Sequence, residues 1–297
     1  MGFWARFLRD ELRKLPSRTV TATLECAGNG RSYLEPKTSG VQWKLGAVGN
    51  AEWTGVPLSA VLERAGLREA ATEVVLEGAD RGVIAGEGKP AGPIHFARSL
   101  PLKKARQPEV LLAYKMNGAD TPATHGFPLR AIVPGWYGVA SIKWLQRLVV
   151  TDRPFTGYFQ SMDYSYYATA YGTARVVPIT ELQVKAEIAR PAAGETIAPG
   201  TTYVVRGAAW TAGSGIAKVE VSTDGGRSWS AAQLIGKKEP FAWRLWEYRW
   251  QTPNRPGQAR LLARATDGRG QIQPLKRDAN LRNYLINYVL PVNVTIQ

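Results

Sequence analysis

Thr19-Val20-Thr21-Ala22-Thr23-Leu24-Glu25-Cys26-Ala27-Gly28-Asn29-Gly30-Arg31-Ser32 is the stretch from which the fold and the chemistry can both be argued. Val20, Ala22, Leu24 and Cys26 recur with period 2, which predicts a strand whose inward-facing row ends at the cysteine. Gly28-Asn29-Gly30 then turns the chain at once. Cys26 is the only cysteine among 297 residues, so no disulfide can form within the chain and the redox compartment stays open. Taken alone it reads as a small buried hydrophobe. Fixed at a strand end, however, a soft thiolate is a strong donor to a transition metal. Glycines directly after it would let backbone N–H groups approach a bound group closely. The two histidines, His95 and His125, are too far from Cys26 and from each other in sequence to give a zinc spacing. A Cys–His hydrolase stays open on residue types alone.

Hydrophobic content of 44% with 21% charged residues is that of a globular protein, and ten tryptophans supply large aromatic anchors. The net charge of +14 is spread along the chain without an arm or block of like charges. A field of that kind draws in small anions or an acidic protein partner, and it does not favour nucleic acid. No apolar run reaches the length of a membrane span, so none is expected. Met1 to Arg6 lacks the order of basic region, apolar run and cleavage site that marks an export signal. The expectation is a soluble protein, with periplasm and cytoplasm both open.

Outward from the cysteine, Phe3, Trp4, Phe7, Leu8 and Leu12 recur at helical spacing, ended by Pro16. Leu58 to Ala65 suits a short helix capped by Gly66. Val74–Leu76, Val110–Tyr114, Leu129–Val133 and Ile142–Val150 read as strands between Gly/Pro-rich loops. Composition shifts near residue 184. Beyond it come short strands and tight turns: Tyr203–Arg206, Lys218–Ser222, the Asp224-Gly225-Gly226 turn, Trp243–Trp250 and Ala259–Thr266. Trp246, Tyr248 and Trp250 share one strand face. The predicted organisation is an α+β domain over 1–183 and an all-β, immunoglobulin-like sandwich of about seven strands over 184–297.

The run Thr23 to Ser32 closely resembles the cysteine loop of the sulfite oxidase family of molybdopterin-dependent oxidoreductases. The resemblance continues through Trp43-Lys44-Leu45-Gly46-Ala47-Val48-Gly49 and Trp53-Thr54-Gly55-Val56-Pro57-Leu58. It resumes at Glu77-Gly78-Ala79-Asp80, His125-Gly126-Phe127-Pro128-Leu129-Arg130, Val133-Pro134-Gly135 and Ser141-Ile142-Lys143-Trp144. The C-terminal part, with Ser222-Thr223-Asp224-Gly225-Gly226 and Trp229, resembles that family's dimerisation domain.

This resemblance implies a molybdenum–molybdopterin cofactor ligated by Cys26. Asp80, His125, Arg130, Ser141, Ile142 and Lys143 are the positions that match its cofactor-binding residues. His125, Arg130 and Lys143 would supply donors and positive charge to an anion, and Asp80 would accept from pterin N–H groups. Arg31 matches an arginine that binds the oxyanion substrate, Trp43 the aromatic wall, and Tyr164 the active-site tyrosine. Arg282 falls, in a short block, where a further pocket arginine is expected. Read singly, these cations are ordinary solvated charges. Tyr164 sits among Tyr158, Tyr166, Tyr167 and Tyr171, which an aromatic interface segment would also produce.

The implied activity is oxygen-atom transfer to sulfite or a similar small oxyanion. With no haem expected in this chain, the electrons would go to an external cytochrome-like acceptor, and the assembly would be a homodimer. A related molybdenum enzyme reducing oxidised sulfur or nitrogen compounds is the alternative, as is a non-enzymatic dimerising remnant. Two departures from the family pattern stand out. Gly30 occupies a position where the family often has arginine. Residues 1–25 hold no Arg-Asn-His-type contribution to the pterin, which leads to the expectation of weakened cofactor retention.

Overall fold

The computed structural model describes residues 9–170 and 173–297, which pack as two compact units. Residues 9–27 and Ala51–Thr180 form the first, Gly28–Asn50 and Glu181–Gln297 the second. A single cut at 183/184 does not capture this, because the loop after the cysteine folds with the second unit. Asn29 and Arg31 are buried there, the first donating to Glu187 Oε1 at 3.3 Å and the second to Asn283 O at 3.1 Å.

The first unit is built on β1 (Arg18–Glu25), β2 (Val48–Pro57), β3 (Glu73–Gly82), β4 (Ile94–Pro101), β5 (Leu111–Met116), β6 (Ala119–Asp120), β7 (Arg130–Ile132), β8 (Leu145–Thr151), β9 (Ser165–Ala170) and β10 (Thr173–Pro178). Strands β1-β2-β5-β6 form one sheet with β7 paired to β5; β4-β3-β8 form a second, and β9 and β10 a hairpin. The helix expected at Leu58–Ala65 is present, and Gly66 ends it with φ 78°. Its buried Leu58, Val61 and Leu62 join Val56, Val74, Leu76, Leu100, Leu112 and Ile142 in one core.

Several expectations shift. Toward the end of β1, Ala22, Thr23 and Glu25 are buried, whereas Val20, Leu24 and Cys26 are half-buried. The strand is thus covered on both faces, and the simple inward row is replaced by a cysteine at the edge of the core. The strand expected from Ile142 starts only at Leu145, because Trp144 adopts φ 49° and breaks the extended run. Most of the helix expected over Phe3–Leu12 lies outside the described residues. Arg9–Arg13 is helical, and Leu12 is buried in the core.

The second unit holds two sheets, β11 (Lys185–Arg190), β13 (Thr202–Trp210), β17 (Arg244–Gln251) and β16 (Gln233–Ile235) in one, and β12 (Thr196–Ile197), β19 (Val292–Ile296), β18 (Gly257–Asp267), β14 (Ile216–Ser222) and β15 (Ser230–Ala231) in the other. Alternation along β17 buries Trp246 and Trp250 and half-buries Tyr248, so the face read from the sequence is the one that packs. Val205, Val219, Val221, Leu261 and Val294 complete this core, giving an immunoglobulin-like sandwich held without a disulfide. No helix among the described residues is long and apolar enough to cross a membrane.

Candidate functional site

In the first unit, Cys26 follows directly on β1 and is half-buried. The carbonyl of Glu25, its predecessor, lies against Gly138, where a Cβ would come to 3.3 Å. Gly138–Ala140 is a short 3-10 turn that leads into Ser141, Ile142 and Lys143. Ser141 and Ile142 are buried; the Ser141 hydroxyl accepts from Val133 N at 3.1 Å, and Ile142 O accepts from Ala131 N at 2.8 Å. These two residues therefore fix the backbone of the segment.

His125 ends a second 3-10 turn, Ala123–His125, and is exposed. Three side chains hold the three successive carbonyls of this turn. Trp144 Nε1 donates to Ala123 O at 3.0 Å, Lys143 Nζ to Thr124 O at 3.1 Å, and Arg130 Nη1 to His125 O at 2.6 Å. Gly126, with φ 109°, closes the arrangement. A Cβ there would lie 3.1 Å from Arg130 Cβ and from Lys143 Cα and Cβ, so only glycine fits without displacing both cations.

Arg130 is not the open cation that its position in the sequence suggested. It is 5% exposed, donates also to Ser141 O at 3.0 Å through Nη2, and lies 4.7 Å over the Trp53 ring. Burial pushes its pKa down to about 10. Its guanidinium ties the His125 turn to the Ser141 turn, so its direct role is to shape the site. Lys143, half-buried with Nζ 4.2 Å over the Trp144 ring, is the more accessible cation. Asp80 is exposed in β3. A Cβ on Gly78 would collide with the Asp80 carboxylate and lie 3.0 Å from Lys143 O, which sets Asp80 beside the Lys143 backbone. The pairing of Ala79 N with Trp144 O at 2.8 Å fixes that register.

Tyr164 is half-buried just after the wide turn Phe159–Asp163, with its ring edge-on to Phe96 at 6.3 Å.

The second unit gathers the remaining candidates. Arg31 is buried, donates from Nε to Asn283 O at 3.1 Å and from Nη1 to Val41 O at 2.9 Å, and lies 5.0 Å over the Tyr284 ring. Its guanidinium fills space left by two glycines: a Cβ on Gly28 or on Gly40 would overlap it. Trp43, 44% exposed, is tied to the same loop by Ser32 N donating to Trp43 O at 3.0 Å. Arg282 is half-buried next to Asn283 and holds a left-handed φ of 54°. A non-glycine residue in that region is sparsely tolerated and clusters at sites where geometry is over-determined. Arg31 and the 282–284 segment are therefore neighbours, which their separation in sequence conceals. Gly30 is also accounted for. Its φ is 91° and a Cβ would meet Ile286 at 3.0 Å, so a side chain is excluded there.

Two family models match most of this chain: an oxidoreductase molybdopterin-binding domain over residues 5–159 and a Mo-co oxidoreductase dimerisation domain over residues 176–297. The chain belongs to the sulfite oxidase family of molybdopterin-binding oxidoreductases. Similar relatives include the mitochondrial sulfite oxidase of Rattus norvegicus, 35% identical over 97% of this chain and 54% of that protein. The sulfite oxidase of Arabidopsis thaliana is 32% identical, covering 94% of this chain and 76% of the relative. Among solved structures, the sulfane dehydrogenase SoxCD of Paracoccus pantotrophus superposes with a TM-score of 0.80 at 28% identity, covering 96% of this chain and 71% of that one. The chain spans about half the length of the animal sulfite oxidases it matches.

For a member of this family, the donor set suits a molybdopterin. Cys26 offers one soft donor; Asp80, an exposed acceptor; His125 and Lys143, donors on the accessible side of a turn whose own carbonyls are already bonded. Gly78 leaves room for the Asp80 carboxylate, and Gly126 for the Arg130 and Lys143 side chains. Trp144, Trp53 and Arg98 are structural partners of this site to which the sequence reading gave no role. The signal for Arg98 was an arginine inside the apolar run Ile94-His95-Phe96-Ala97-Arg98-Ser99-Leu100.

Proposed function

We propose that this chain is the molybdenum-binding and dimerisation part of an oxidoreductase that transfers an oxygen atom to sulfite or a similar small oxyanion and passes the electrons to an external, cytochrome-like acceptor. The observation that carries the reading is Cys26, held at a strand end in a chain similar to sulfite oxidases along nearly its whole length. When bound, the cofactor supplies a two-electron centre able to exchange an oxygen atom. The chain contributes charge, orientation and proton handling.

Cys26 would be the protein's ligand to the metal, as thiolate. Asp80 would accept from the pterin, and His125 and Lys143 would face its anionic end. Arg130, Ser141 and Ile142 would set the backbone from which those groups project. Arg31 carries the recognition of the substrate. A guanidinium has five N–H donors, and two of those on Arg31 go to the carbonyls of Asn283 and Val41. The remaining donors would serve a dianion, with Arg282 as a second cation and Trp43 as an apolar wall. The Tyr164 hydroxyl would hold or hand over a proton at its phenolic oxygen. In this reading, residues 1–183, apart from the loop 28–50 that packs with the second unit, form the catalytic domain, and 184–297 the dimerising sandwich of a homodimer.

Purified protein supplied with cofactor should take up molybdenum and pterin, with retention weakened as residues 1–25 lead one to expect, and should reduce a cytochrome c-type acceptor in the presence of sulfite. Folded protein without molybdenum would sink the reading. Loaded protein that turns over nitrate or a sulfoxide but not sulfite would replace it with the reductase alternative.

A further inference from the structure

We propose that Arg98 is a positioning residue for Tyr164, acting from β4 on the backbone that carries the tyrosine; this rests on the role given to Tyr164 above. Arg98 is 1% exposed, and its fork reaches three carbonyls from separate parts of the chain. Nη1 donates to Phe159 O at 2.5 Å and to Tyr164 O at 3.3 Å, and Nη2 donates to Ile179 O at 2.5 Å. The first two carbonyls flank the wide helical turn Phe159–Asp163, and the third follows the β9–β10 hairpin. Tyr164 O also accepts from Ile179 N at 3.0 Å, so one guanidinium joins the two ends of the whole excursion.

Two neighbours in β4 act on the same turn. The Phe96 ring lies 4.4 Å from Phe159 and edge-on to Tyr164. The Gln160 amide donates to Ser99 Oγ at 3.0 Å and accepts from Ser99 N at 3.4 Å. A wide turn of this kind is rare and has poor internal bonding, so it needs outside support to hold one shape. Burying a guanidinium is costly unless its donors are well used. Here both terminal nitrogens are used on the segment that sets where the Tyr164 hydroxyl sits, while Nε is buried without a hydrogen-bond partner. Lysine would keep the charge but could not span three carbonyls from one planar fork.

The test is Arg98→Lys in the molybdenum-loaded full chain, alone and combined with Tyr164→Phe. Misplacing a reacting group by about 1 Å can cost on the order of 100-fold. Arg98→Lys should therefore lower kcat for sulfite by about 10- to 100-fold, with KM and molybdenum content little changed. In the Tyr164→Phe background the same substitution should cost no more than about 3-fold, because the group it positions is gone. A loss that multiplies fully in both backgrounds would overturn the proposal, leaving Arg98 as general support. Hydrogen exchange gives a readout independent of turnover: residues 159–164 and the Ile179 amide should exchange faster in Arg98→Lys. Unchanged exchange there would also overturn it, even if wild-type protein proved inactive on sulfite and the functional reading itself failed. If Arg98→Lys does not fold, Ser99→Ala, which removes the hydroxyl partner of Gln160, should show the same non-additivity with Tyr164→Phe at smaller amplitude; full additivity would count against the proposal equally.

Discussion

Replacing Arg130 with methionine is the perturbation that best measures how the cofactor-facing turns are held. The side chain is 5% exposed and makes two charge-assisted bonds, to His125 O and Ser141 O, with Trp53 beneath it. Losing them leaves two carbonyls short of a partner, at about 1–3 kcal/mol each, and removes a desolvated cation–π contact of about 1–2 kcal/mol. Against this stands the cost of burying the charge, which pushes the pKa down to about 10 and corresponds to about 3 kcal/mol. The net loss in Arg130→Met is therefore about 2 kcal/mol, well below the sum of the contacts. Urea unfolding followed by tryptophan fluorescence should show it, and pterin content should fall as the His125 turn loosens. The pH dependence has a definite sign. With its pKa lowered on folding, Arg130 binds fewer protons in the folded than in the unfolded chain from about pH 10 up to the range of a free guanidinium. Its contribution to stability thus increases with pH across that window, and the gap between wild type and Arg130→Met should widen. A methionine variant as stable as wild type, with full pterin content, would refute the account of Arg130 as the tie between the two turns.

Cys26→Ser should fold normally but lose molybdenum and activity, since a hydroxyl is a far poorer donor than a thiolate; wild-type metal content would make the cysteine structural. Gly40→Ala would put a Cβ 2.6 Å from Arg31 Nη1 at a φ of 100°. It should reduce kcat/KM for sulfite more than tenfold, for a disturbed charge-assisted contact of about 1.5–3 kcal/mol, without changing pterin content. Lys185, with its side chain 2% exposed, pairs with Glu187 at 2.9 Å. Lys185→Met should cost about 1–3 kcal/mol, less than an uncompensated buried charge, because Asn29 still donates to the Glu187 carboxylate; thermal unfolding of single and double variants would check it. Asp224 is held far below the usual carboxylate range by the Ser228 hydroxyl and N–H, the Ser222 hydroxyl and the Arg227 N–H. Its stabilisation is present above the unfolded pKa of about 4 and is lost as the pH falls below it. Asp224→Asn should therefore flatten the acid limb of the stability profile.

Local pattern was enough for much of this protein. The Leu58–Ala65 helix with its Gly66 cap and the packed tryptophan face of β17 depend on periodicity and capping within a few residues. The cysteine loop and the ordered blocks after it were legible as motif, and the family models and relatives agree with them. What the chain did not reveal along its length are relations between distant residues. The role of Arg130 depends on which carbonyls close around it, and those belong to turns at 125 and 141. Trp144 looks like a strand residue until its φ of 49° aims the indole at Ala123. The loop 28–50 belongs with residues beyond 180 because the buried Asn29 and Arg31 find hydrogen-bond partners there, 158 and 252 positions away. Composition and spacing carry residue chemistry; whether a buried cation meets a ligand or a backbone carbonyl is decided by where the chain returns, and only the tertiary structure holds that.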